Sequence, residues 1–457
     1  MFPFPRSLVW PPPPSQQPMP PLLPVPDSAT DPGRSYPKRH RSPSPPLSAV
    51  GPSRNQYHHR FATHSQNRRW INPDLKRRRL SSLKRQRRWI EAENAPDFSS
   101  SKGDPIVMMS YNILGDHNCR NHTELYDRIP AKFTEWESRK RLIFLEITER
   151  NPDIVCLQEV DQVQDVLDYM KGRGYDGIHK GRSGDYKDGC ATFWKKTRFR
   201  LLEDDSIDFS TFNLNNNVAQ VLVLEVQEGR QLVVGNIHVL FSPRRGDIKL
   251  GQIRMLLERA NFLSRKWGDI PIILAGDFNS TPRSVLYEFL SSKEIDVSLH
   301  NRLKMSGMDP MDFVRWRREY IWTEEELLNA IGHLEGTKIK SPIKLWSSYA
   351  SIKGPSITRG PNDEPLATTC HSKFRGTVDY LWYSAEIACL RVLDTLPIHL
   401  LKERGGLPSE EIGSDHLALV AEFAFVDYES SESDDEDTKS TDSSGVSTEH
   451  TALSGSY

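Results

Sequence analysis

Short apolar runs alternate with stretches of helical spacing through the middle of the chain, between about residues 104 and 427. Apolar, β-branched runs predict strands at residues 106–112, 154–157, 190–194, 218–226, 232–237, 270–275, 378–383 and 417–425. Apolar residues at helical spacing predict helices at residues 137–150, 165–171, 247–267, 284–290 and 323–331. Strands that alternate with helices in this way are typical of an α/β domain.

The ends of the predicted strands carry six polar motifs. These are Ser110-Tyr111-Asn112, Leu157-Gln158-Glu159, Gly235-Asn236-Ile237-His238, Gly276-Asp277-Phe278-Asn279-Ser280, Thr377-Val378-Asp379-Tyr380 and Ser414-Asp415-His416. The first four place a polar residue at the carboxyl end of a strand, and the last two stand where a strand begins. If the last two strands run antiparallel to the others, all six motifs meet at one mouth of the domain, as the groups of a functional site do.

The residue types in these motifs suit the hydrolysis of a phosphodiester with the help of a divalent metal. Mg²⁺ prefers hard oxygen ligands, and the carboxylate of Glu159 follows a buried strand and emerges into the mouth. Asp277 and Asn279 are two residues apart and can point to one side of an extended loop. The sequence contains no nucleophile elbow, Walker loop or G-x-G-x-x-G motif, and metal-assisted hydrolysis is the interpretation that uses all six motifs.

Asp415 and His416 are neighbours in an extended stretch, so their side chains face opposite ways. Asp415 is therefore expected to point towards the metal, and His416 towards the phosphate or the nucleophile. His416 then needs a second carboxylate to orient its ring, and Asp379 is the candidate for that role.

Charge divides the chain into three parts. Residues 1–90 carry 17 Lys and Arg against 3 Asp and Glu, residues 428–457 carry one Lys against eight acids, and the whole chain has a net charge of −1. Only the middle part has the density of apolar residues that a core requires. We therefore expect a disordered, Pro-rich and basic arm at residues 1–100, a folded domain at residues 104–427 and a disordered, acidic and Ser-rich tail at residues 428–457.

The arm contains two basic clusters, at residues 76–79 and 84–88. They suit a nuclear import signal or an arm that grips RNA, so the expected location is the nucleus and the cytoplasm. An organellar transit peptide stays open because the arm is Arg-rich and poor in acids. The five cysteines are widely spaced and odd in number, which indicates reduced thiols. The sequence has no apolar run of about 18 residues, and no membrane span is expected.

Taken in order, the six motifs resemble those of the exonuclease–endonuclease–phosphatase superfamily over about residues 104–427. Residues 109–114, 155–160, 376–380 and 412–416 resemble its deadenylase branch, which comprises carbon catabolite repressor protein 4-like nucleases, nocturnin and the angel proteins. Residues 367–372 resemble the angel subgroup, and the Pro-rich start with a compact body resembles plant members of the carbon catabolite repressor protein 4 type. The resemblance implies a four-layer, two-sheet α/β sandwich with helices outside both sheets.

The resemblance also implies a role for each polar motif around the metal. Glu159 would be the principal ligand of Mg²⁺, or of Mn²⁺ in its place, with Asn112 and Asp415 nearby. Asp277 and Asn279 would orient the attacking water and hold the second metal or the phosphate.

The remaining positions implied by the resemblance contact the substrate. His238 and His416 would contact the scissile phosphate, with Asp379 paired to His416. Pro243 and Phe374 match the positions that enclose the adenine in the deadenylases, where a ring face offers stacking.

The activity implied by the resemblance is that of a Mg²⁺-dependent 3′–5′ exoribonuclease that removes poly(A) tails from mRNA and releases 5′-AMP. A 2′,3′-cyclic-phosphate RNA phosphatase of the angel type, or a lipid or inositol phosphatase of the superfamily, would use the same groups. A non-catalytic RNA-binding module would need a lost ligand, and none is missing from the sequence. The resemblance suggests assembly into the multisubunit deadenylase complex. The yeast-type protein docks there through a leucine-rich-repeat segment, and residues 1–100 contain no such pattern, which argues against direct assembly.

Overall fold

The computed structural model describes residues 87–93, 104–226, 229–291, 293–308, 322–403 and 405–426. The helices are α1 (Asp116–Asn121), α2 (Ala131–Thr134), α3 (Trp136–Arg150), α4 (Val163–Gly172), α5 (Gly246–Lys266), α6 (Val285–Leu290), α7 (Glu324–Ile331) and α8 (Ile398–Glu403). The strands are β1 (Trp89–Glu91), β2 (Ile106–Asn112), β3 (Ile154–Gln158), β4 (Tyr175–Gly181), β5 (Gly189–Lys195), β6 (Phe199–Asp204), β7 (Ile207–Asp208), β8 (Val218–Val226), β9 (Gln231–His238), β10 (Ile272–Asp277), β11 (Glu294–Asp296), β12 (Lys338–Lys340), β13 (Trp346–Ser347), β14 (Thr369–Cys370), β15 (Arg375–Gly376), β16 (Asp379–Tyr383), β17 (Ile387–Leu393) and β18 (Leu419–Phe425).

The first sheet has its strands in the order β1-β17-β18-β2-β3-β5-β4. Strands β2 and β3 are parallel, whereas β18 runs antiparallel to β2. The residues that precede β18 therefore lie at the same edge of the sheet as the residues that follow β2 and β3. Strand β18, the last of the described strands along the chain, is in the interior of this sheet.

The second sheet has the order β13-β16-β10-β9-β8-β6, with β7 paired to β8. Strands β9 and β10 are parallel and place His238 beside Asp277, whereas β16 runs antiparallel to β10 and places Asp379 opposite Asp277. The prediction that the last two motif-bearing strands run antiparallel to the others is therefore confirmed in both sheets.

Three apolar clusters separate four layers. Between the sheets, inward-facing residues such as Met108 and Val234 form the central core. Ile143 of α3 packs with residues on the outer face of the first sheet, and Leu256 of α5 does the same on the second sheet. The order helix, sheet, sheet, helix confirms the predicted four-layer α/β sandwich.

Most predicted elements are present with ends shifted by a few residues, and several strands were not predicted from the sequence. Strand β4 contains charged residues and two glycines, and it lies at the edge of its sheet, so its pairing with β5 defines it better than its apolar pattern does. Strands β6 and β17 were also missed. The long predicted helix at 247–267 is α5 and the predicted helix at 323–331 is α7, which begins with a capping box at Thr323.

Residues 87–93 belong to the folded domain, which corrects their assignment to the arm. Strand β1 pairs antiparallel with β17. Arg87 is buried, and its guanidinium lies 3.2 Å from Glu146 Oε1 and donates to the carbonyl of Ala418 at 2.6 Å. In sequence, the basic run around Arg87 looks like a solvated charge cluster. In the structure, Arg87 is instead held by the buried carboxylate of Glu146 on α3. The predicted disorder of the rest of the arm and of the acidic tail concerns residues outside the described ones.

The five cysteines are buried and unpaired. Among the helices that the structure describes, none is long and apolar enough to cross a membrane.

Candidate active site

The polar motifs meet at the edge where β2, β3, β9 and β10 end and where β16 and β18 begin. Asp277 Oδ2 is at the centre of this mouth. It lies 3.1 Å from Asn112 Nδ2, 3.7 Å from His238 Nε2 and 3.8 Å from His416 Nε2. Asn112 Nδ2 also donates to Glu159 Oε1 at 3.0 Å, so one amide nitrogen joins a carboxylate of each sheet.

Glu159 follows β3 directly, with a left-handed backbone (φ 58°) that is uncommon for a residue with a side chain. Its Oε2 accepts hydrogen bonds from the backbone N–H of Gly115 at 3.1 Å and from Asn118 Nδ2 at 2.9 Å. Burial alone raises the pKa of Glu159. The charge of His238 and the hydrogen bonds from Asn118 and Asn112 outweigh burial and hold this pKa below its ordinary value. The carboxylate is therefore ionised at neutral pH.

The orientation of the Asn112 amide is fixed by a backbone donor. The N–H of Leu114 donates to Asn112 Oδ1 at 3.0 Å, so the amide nitrogen must face Glu159 and Asp277. Ser414 Oγ donates to the Asn112 carbonyl at 2.6 Å and ties the end of β2 to the segment before β18. In this arrangement Asn112 bridges two carboxylates, and its role as a metal ligand stays a prediction.

The loop after β10 is tightly constrained. A side chain at Gly276 would lie 2.1 Å from the carbonyl oxygen of Ile237, so this position requires glycine. The backbone N–H of Asn279 donates to Asp277 Oδ1 at 2.9 Å, and Asn279 Nδ2 donates to the carbonyl of Val239 at 2.9 Å. Asn279 has a left-handed backbone (φ 45°). These bonds hold the carboxylate of Asp277 and the amide of Asn279 in fixed positions at the mouth.

A buried lysine supports this loop from below. Lys249 on α5 is fully buried and its Nζ donates to the backbone carbonyl of Asn279 at 2.6 Å. Burial lowers the pKa of Lys249 to about 7, and the negative charge of Asp277 opposes this effect. Lys249 therefore secures the backbone of the loop.

His416 and Asp379 form a buried pair across the two sheets. His416 Nδ1 lies 2.9 Å from Asp379 Oδ2, and Thr368 Oγ1 donates to the same oxygen at 2.5 Å. Burial lowers the pKa of His416, but the charges of Asp379 and Asp415 outweigh burial and raise this pKa well above its ordinary value. The protonated ring donates from Nδ1 to Asp379, which leaves the Nε2–H directed at the centre of the mouth.

His238 stands on the other side of Asp277. Its backbone carbonyl accepts a hydrogen bond from Asn217 Nδ2 at 3.0 Å, whereas its buried Nδ1 has no hydrogen-bond partner within the described part of the chain. Burial and the negative charge of Asp379 raise the pKa of Asp277, and the two histidines partly oppose this shift. The mouth therefore concentrates negative charge, with two imidazoles beside it.

Only one of the two carboxylate oxygens of Asp415 accepts a hydrogen bond from the residues that the structure describes. Tyr126 donates its hydroxyl to Asp415 Oδ2 at 2.9 Å. Asp415 Oδ1 is buried, accepts no hydrogen bond from the residues that the structure describes and lies 3.9 Å from His416 Nε2. A buried carboxylate oxygen without a donor is an atom that a hard cation can bind.

The donor set at the mouth fits a divalent cation. Ligand atoms of Asp277, Asp379 and His416 lie within 4.8 Å of one another. Because His416 and Asp379 bond to each other, this pair is already satisfied, and Asp277 is the member of the cluster with capacity for a metal. Together with Glu159 and Asp415 it offers the hard oxygen ligands that Mg²⁺ prefers.

The two residues predicted to contact adenine lie on loops, five residues after His238 and five residues before Asp379, and both are partly buried. The carbonyl of Pro243 accepts a hydrogen bond from Ser306 Oγ at 3.0 Å. The ring of Phe374 lies over Gly376, where a side chain would come within 2.9 Å of the ring, and its centroid is 6.3 Å from that of His371. Their contact with a base stays a prediction.

A polar bridge joins the two sheets beneath the mouth. Gln158 Nε2 of the first sheet donates to Asn236 Oδ1 of the second at 2.8 Å. Asn236 Nδ2 reaches back to the carbonyls of Leu157 at 3.2 Å and Ala191 at 3.1 Å. All these groups are buried, so the bridge fixes the position of one sheet relative to the other.

Sequence reasoning found the residues that line the mouth and missed those that hold them. Asn118, Tyr126 and Lys249 were not predicted. Lys249 carried a detectable signal, since it lies at helical spacing from Ile253 and Leu256 and so occupies the apolar face of α5. Asn118 and Tyr126 lie outside any motif and carried no such signal.

A two-sheet α/β sandwich with carboxylates, amides and imidazoles at one edge defines a class of enzymes that hydrolyse phosphate esters. The model of the Endonuclease/Exonuclease/phosphatase family matches residues 109–416 of this chain. The chain therefore belongs to this family.

Similar proteins confirm the narrower resemblance. The chain is 46% identical over 380 residues to carbon catabolite repressor protein 4 homolog 3 of Arabidopsis thaliana, which covers 79% of this chain and 84% of that protein. It is 30% identical over 396 residues to protein angel homolog 2 of Mus musculus, covering 73% and 72%. A crystal structure of ANGEL2, a 2′,3′-cyclic phosphatase, is 31% identical with a TM-score of 0.64, covering 74% of this chain and 97% of that one.

Proposed function

We propose that the protein is a divalent-metal-dependent hydrolase that removes nucleotides from the 3′ end of RNA, with poly(A) tails as its preferred substrate and 5′-AMP as its product. The convergence of Glu159, Asp277 and the His416–Asp379 pair at one mouth, across two sheets, carries this proposal. Carboxylates that can hold a cation, beside imidazoles that can donate to phosphate oxygens, suit a phosphodiester, because the cation and the imidazoles would both stabilise its negative charge.

The residues that would hold Mg²⁺ or Mn²⁺ are Glu159, Asp277 and Asp415. The bound cation would act as a Lewis acid on the phosphate and lower the pKa of a coordinated water. Asn112 holds the carboxylates of Glu159 and Asp277 at a fixed spacing, because its single amide nitrogen bonds to both. Asn279 stands beside Asp277 on the rigid loop after β10, where this pair can orient the attacking water.

The two histidines would contact the scissile phosphate. His416 is protonated, and its Nδ1 is occupied by Asp379, so Nε2 is the atom that donates to a phosphate oxygen. A raised pKa suits this residue to charge stabilisation and makes it a poor general base. His238 Nε2 lies 3.7 Å from Asp277 and can donate to a second oxygen of the same phosphate.

Preference for adenine would come from Pro243 and Phe374. Stacking on a ring is worth roughly 1–3 kcal/mol per base, but every base offers a face. The contact therefore contributes affinity, and the shape of the pocket must supply the discrimination. Phe374→Ala is expected to narrow the difference in rate between A-tails and U- or C-tails.

A second candidate function is the hydrolysis of a 2′,3′-cyclic phosphate at the end of RNA. The similarity to ANGEL2, which has also been solved with adenosine-2′,3′-vanadate, supports this candidate. The angel-like stretch at residues 367–372 also supports this candidate, because it lies at the site. Thr368 in this stretch bonds to Asp379, and the stretch leads into the loop that carries Phe374. Both reactions break a phosphorus–oxygen bond at the 3′ end of RNA, and the same mouth could serve either.

One pair of substrates separates the two candidates. A 5′-labelled RNA with a 3′ A-tail and the same RNA ending in a 2′,3′-cyclic phosphate are incubated with the full chain and Mg²⁺, and the products are resolved on a denaturing gel. We expect a ladder of shortened A-tails, lost on addition of EDTA. Loss of the cyclic phosphate without shortening would establish the second candidate. The base preference is then tested on the same RNA with an A-, U-, C- or G-tail. If all four tails are shortened at the same rate, the protein is a general 3′ exonuclease and the preference for poly(A) is wrong.

A further inference from the structure

A short strap connects the loop that carries Phe374 to the metal-binding carboxylate of Asp415. The strap comprises residues 122–126 and contains a single 3₁₀ turn, Thr123–Leu125. At one end, the hydroxyl of Tyr126 donates to Asp415 Oδ2 at 2.9 Å. Within the turn, the carbonyl of Leu125 accepts a hydrogen bond from the backbone N–H of Ser372 at 3.0 Å, and the carbonyl of Glu124 accepts one from Ser372 Oγ at 3.0 Å.

The backbone and the side chain of Asp415 are held by different hydrogen bonds. The backbone carbonyl of Asp415 accepts hydrogen bonds from the N–H of Cys370 at 3.1 Å and from Thr369 Oγ1 at 2.9 Å. These bonds fix the main chain, but they leave the side chain free to rotate about its own bonds. Among the residues that the structure describes, the Tyr126 hydroxyl donates a hydrogen bond to this carboxylate, and because the bond goes to Oδ2, Oδ1 is left without a donor.

The apolar surroundings of Tyr126 fix the position of its ring. The side chain is 6% exposed and packs in a small apolar cluster with Leu114, Cys119 and Ile129. Apolar contacts therefore hold the ring, and the hydroxyl is directed at Asp415 Oδ2.

We propose that Tyr126 is a positioning residue that presents Asp415 Oδ1 to the catalytic cation, and that the strap links this carboxylate to the loop of Phe374. This inference rests on the proposed metal-dependent function. Groups that orient a metal ligand through its second oxygen typically change metal affinity or activity by about 10–100-fold when they are removed. Tyr126 is buried and its hydroxyl donates to Asp415, so its effect acts through that carboxylate.

The test is Tyr126→Phe, which removes one oxygen and keeps the ring in its apolar cluster. Mn²⁺ binding to the full chain is measured by calorimetry without RNA, and kcat and KM for the A-tailed RNA are measured over a range of Mg²⁺ concentrations. We expect the Mn²⁺ Kd to rise by at least about tenfold. We also expect kcat to fall at low Mg²⁺ and to recover at high Mg²⁺, with KM for RNA little changed.

Tyr349→Phe is the matched control. Tyr349 is also buried, and its hydroxyl donates to the carbonyl of Leu393 at 2.7 Å and not to a candidate metal ligand. This variant should lose stability and keep the wild-type Mn²⁺ Kd. If Tyr126→Phe also keeps the wild-type Kd and the wild-type response to Mg²⁺, the positioning role is wrong. Failure of the wild-type protein itself to bind Mn²⁺ or to hydrolyse RNA would instead overturn the proposed function.

Ser372→Ala tests the link through the strap. It removes the hydroxyl bond to Glu124 and keeps the backbone bond to Leu125. A weaker Mn²⁺ affinity in this variant, with less than additive loss in the double variant with Tyr126→Phe, is the result expected of groups that act in one chain of contacts. Wild-type affinity in Ser372→Ala would confine the effect to Tyr126 and remove the link from the proposal.

Discussion

Glu159 combines features that rarely occur together: a left-handed backbone, ionisation at a partly buried position and three hydrogen-bond donors to its two carboxylate oxygens. Such a group is costly to the fold and is retained where its charge has a use. The three donors also limit the directions from which a cation can approach it.

Glu159→Gln is expected to abolish most of the activity and to leave the fold intact. The variant removes the charge at constant shape, and loss of several kcal/mol of metal-assisted stabilisation corresponds to roughly a 1,000-fold fall in kcat. The melting temperature in EDTA should fall modestly, because the amide nitrogen of Gln would face an N–H donor that the carboxylate now accepts from. Glu137→Gln, at an exposed position, is the control. Near-normal hydrolysis by Glu159→Gln that resists EDTA would rule out the metal mechanism.

Glu364 makes the stability of the protein depend on pH. It is buried beneath Tyr287, whose hydroxyl donates to it at 2.8 Å, and burial raises the pKa of Glu364 from 4.5 to about 7. The folded state therefore binds more protons than the unfolded state between these two values, and the free energy of unfolding falls as pH rises through this window.

Glu364→Gln should remove that dependence. At pH 8 the variant is expected to be more stable than the wild type by up to about 3 kcal/mol, and the advantage should disappear below about pH 4.5. Urea unfolding at a series of pH values measures the difference, with Glu137→Gln again as the exposed control. A constant difference across the series would show that Glu364 is ionised throughout.

At the scale of elements, strand β1 depends on one buried ion pair. The Arg87 guanidinium bonds to Glu146 of α3 and to the carbonyls of Ala418 and Asp394, so it joins three separate segments. Arg87→Met would leave Glu146 buried with less compensation, and breaking such a pair typically costs about 3–5 kcal/mol. We expect a loss near the lower figure, because Arg150 also contacts Glu146 at 3.2 Å. The urea midpoint measures it.

Truncation gives an independent check of β1. Removing residues 1–80 should leave the urea midpoint unchanged, whereas removing residues 1–93 should lower it by at least as much as Arg87→Met. If both truncated chains were as stable as the full chain, β1 would contribute nothing to the fold.

The elements also show what sequence patterns can and cannot reveal. The direction of the strands could be predicted from the motifs. Polar residues at the start of β16 and β18 reach the edge where β2 and β10 end only if these strands run antiparallel to them. Strand β1 could not be found in this way. Its three residues follow a basic cluster, and the evidence for it is the pairing with β17, which is about 300 residues away in sequence.

The same limit applies inside the candidate site. His238, Asp277 and His416 were predictable because each stands at a strand end within a motif. The contact of Tyr126 with Asp415 joins positions that are 289 residues apart, and no local pattern marks it. Hydrogen bonds between distant segments depend on the folded topology, so residues of this kind become visible only in the structure.

At the scale of the whole molecule, charge is concentrated at the two ends of the sequence, and the residues of the candidate site lie between them. A basic arm attracts RNA through its phosphates, and each phosphate contact steepens the dependence of log Kd on log salt by about 0.7 for a single strand. Removing residues 1–80 should therefore weaken RNA binding at low salt and flatten this dependence, while kcat at saturating RNA is retained.

Fluorescence anisotropy with A-tailed RNA, between about 50 and 200 mM salt, measures both quantities. The truncated chain keeps Arg87 and β1, so a change in kcat could not be attributed to damage of the sheet. Unchanged binding at every salt concentration would assign the arm to localisation alone, and a fall in kcat would place it in the active site.

Strand β18 lies inside the first sheet although it is the last of the described strands to be synthesised. Until residue 425 has left the ribosome, β2 and β17 have no strand between them, and the segment that carries Asp415 and His416 has no place to dock. The growing chain is therefore held in an unfinished state for most of translation, with the edge of β2 exposed to chaperones and proteases. An enzyme built in this order has no complete active-site mouth before its last described strand is in place, and a product truncated within that strand would leave the edge of β2 unpaired.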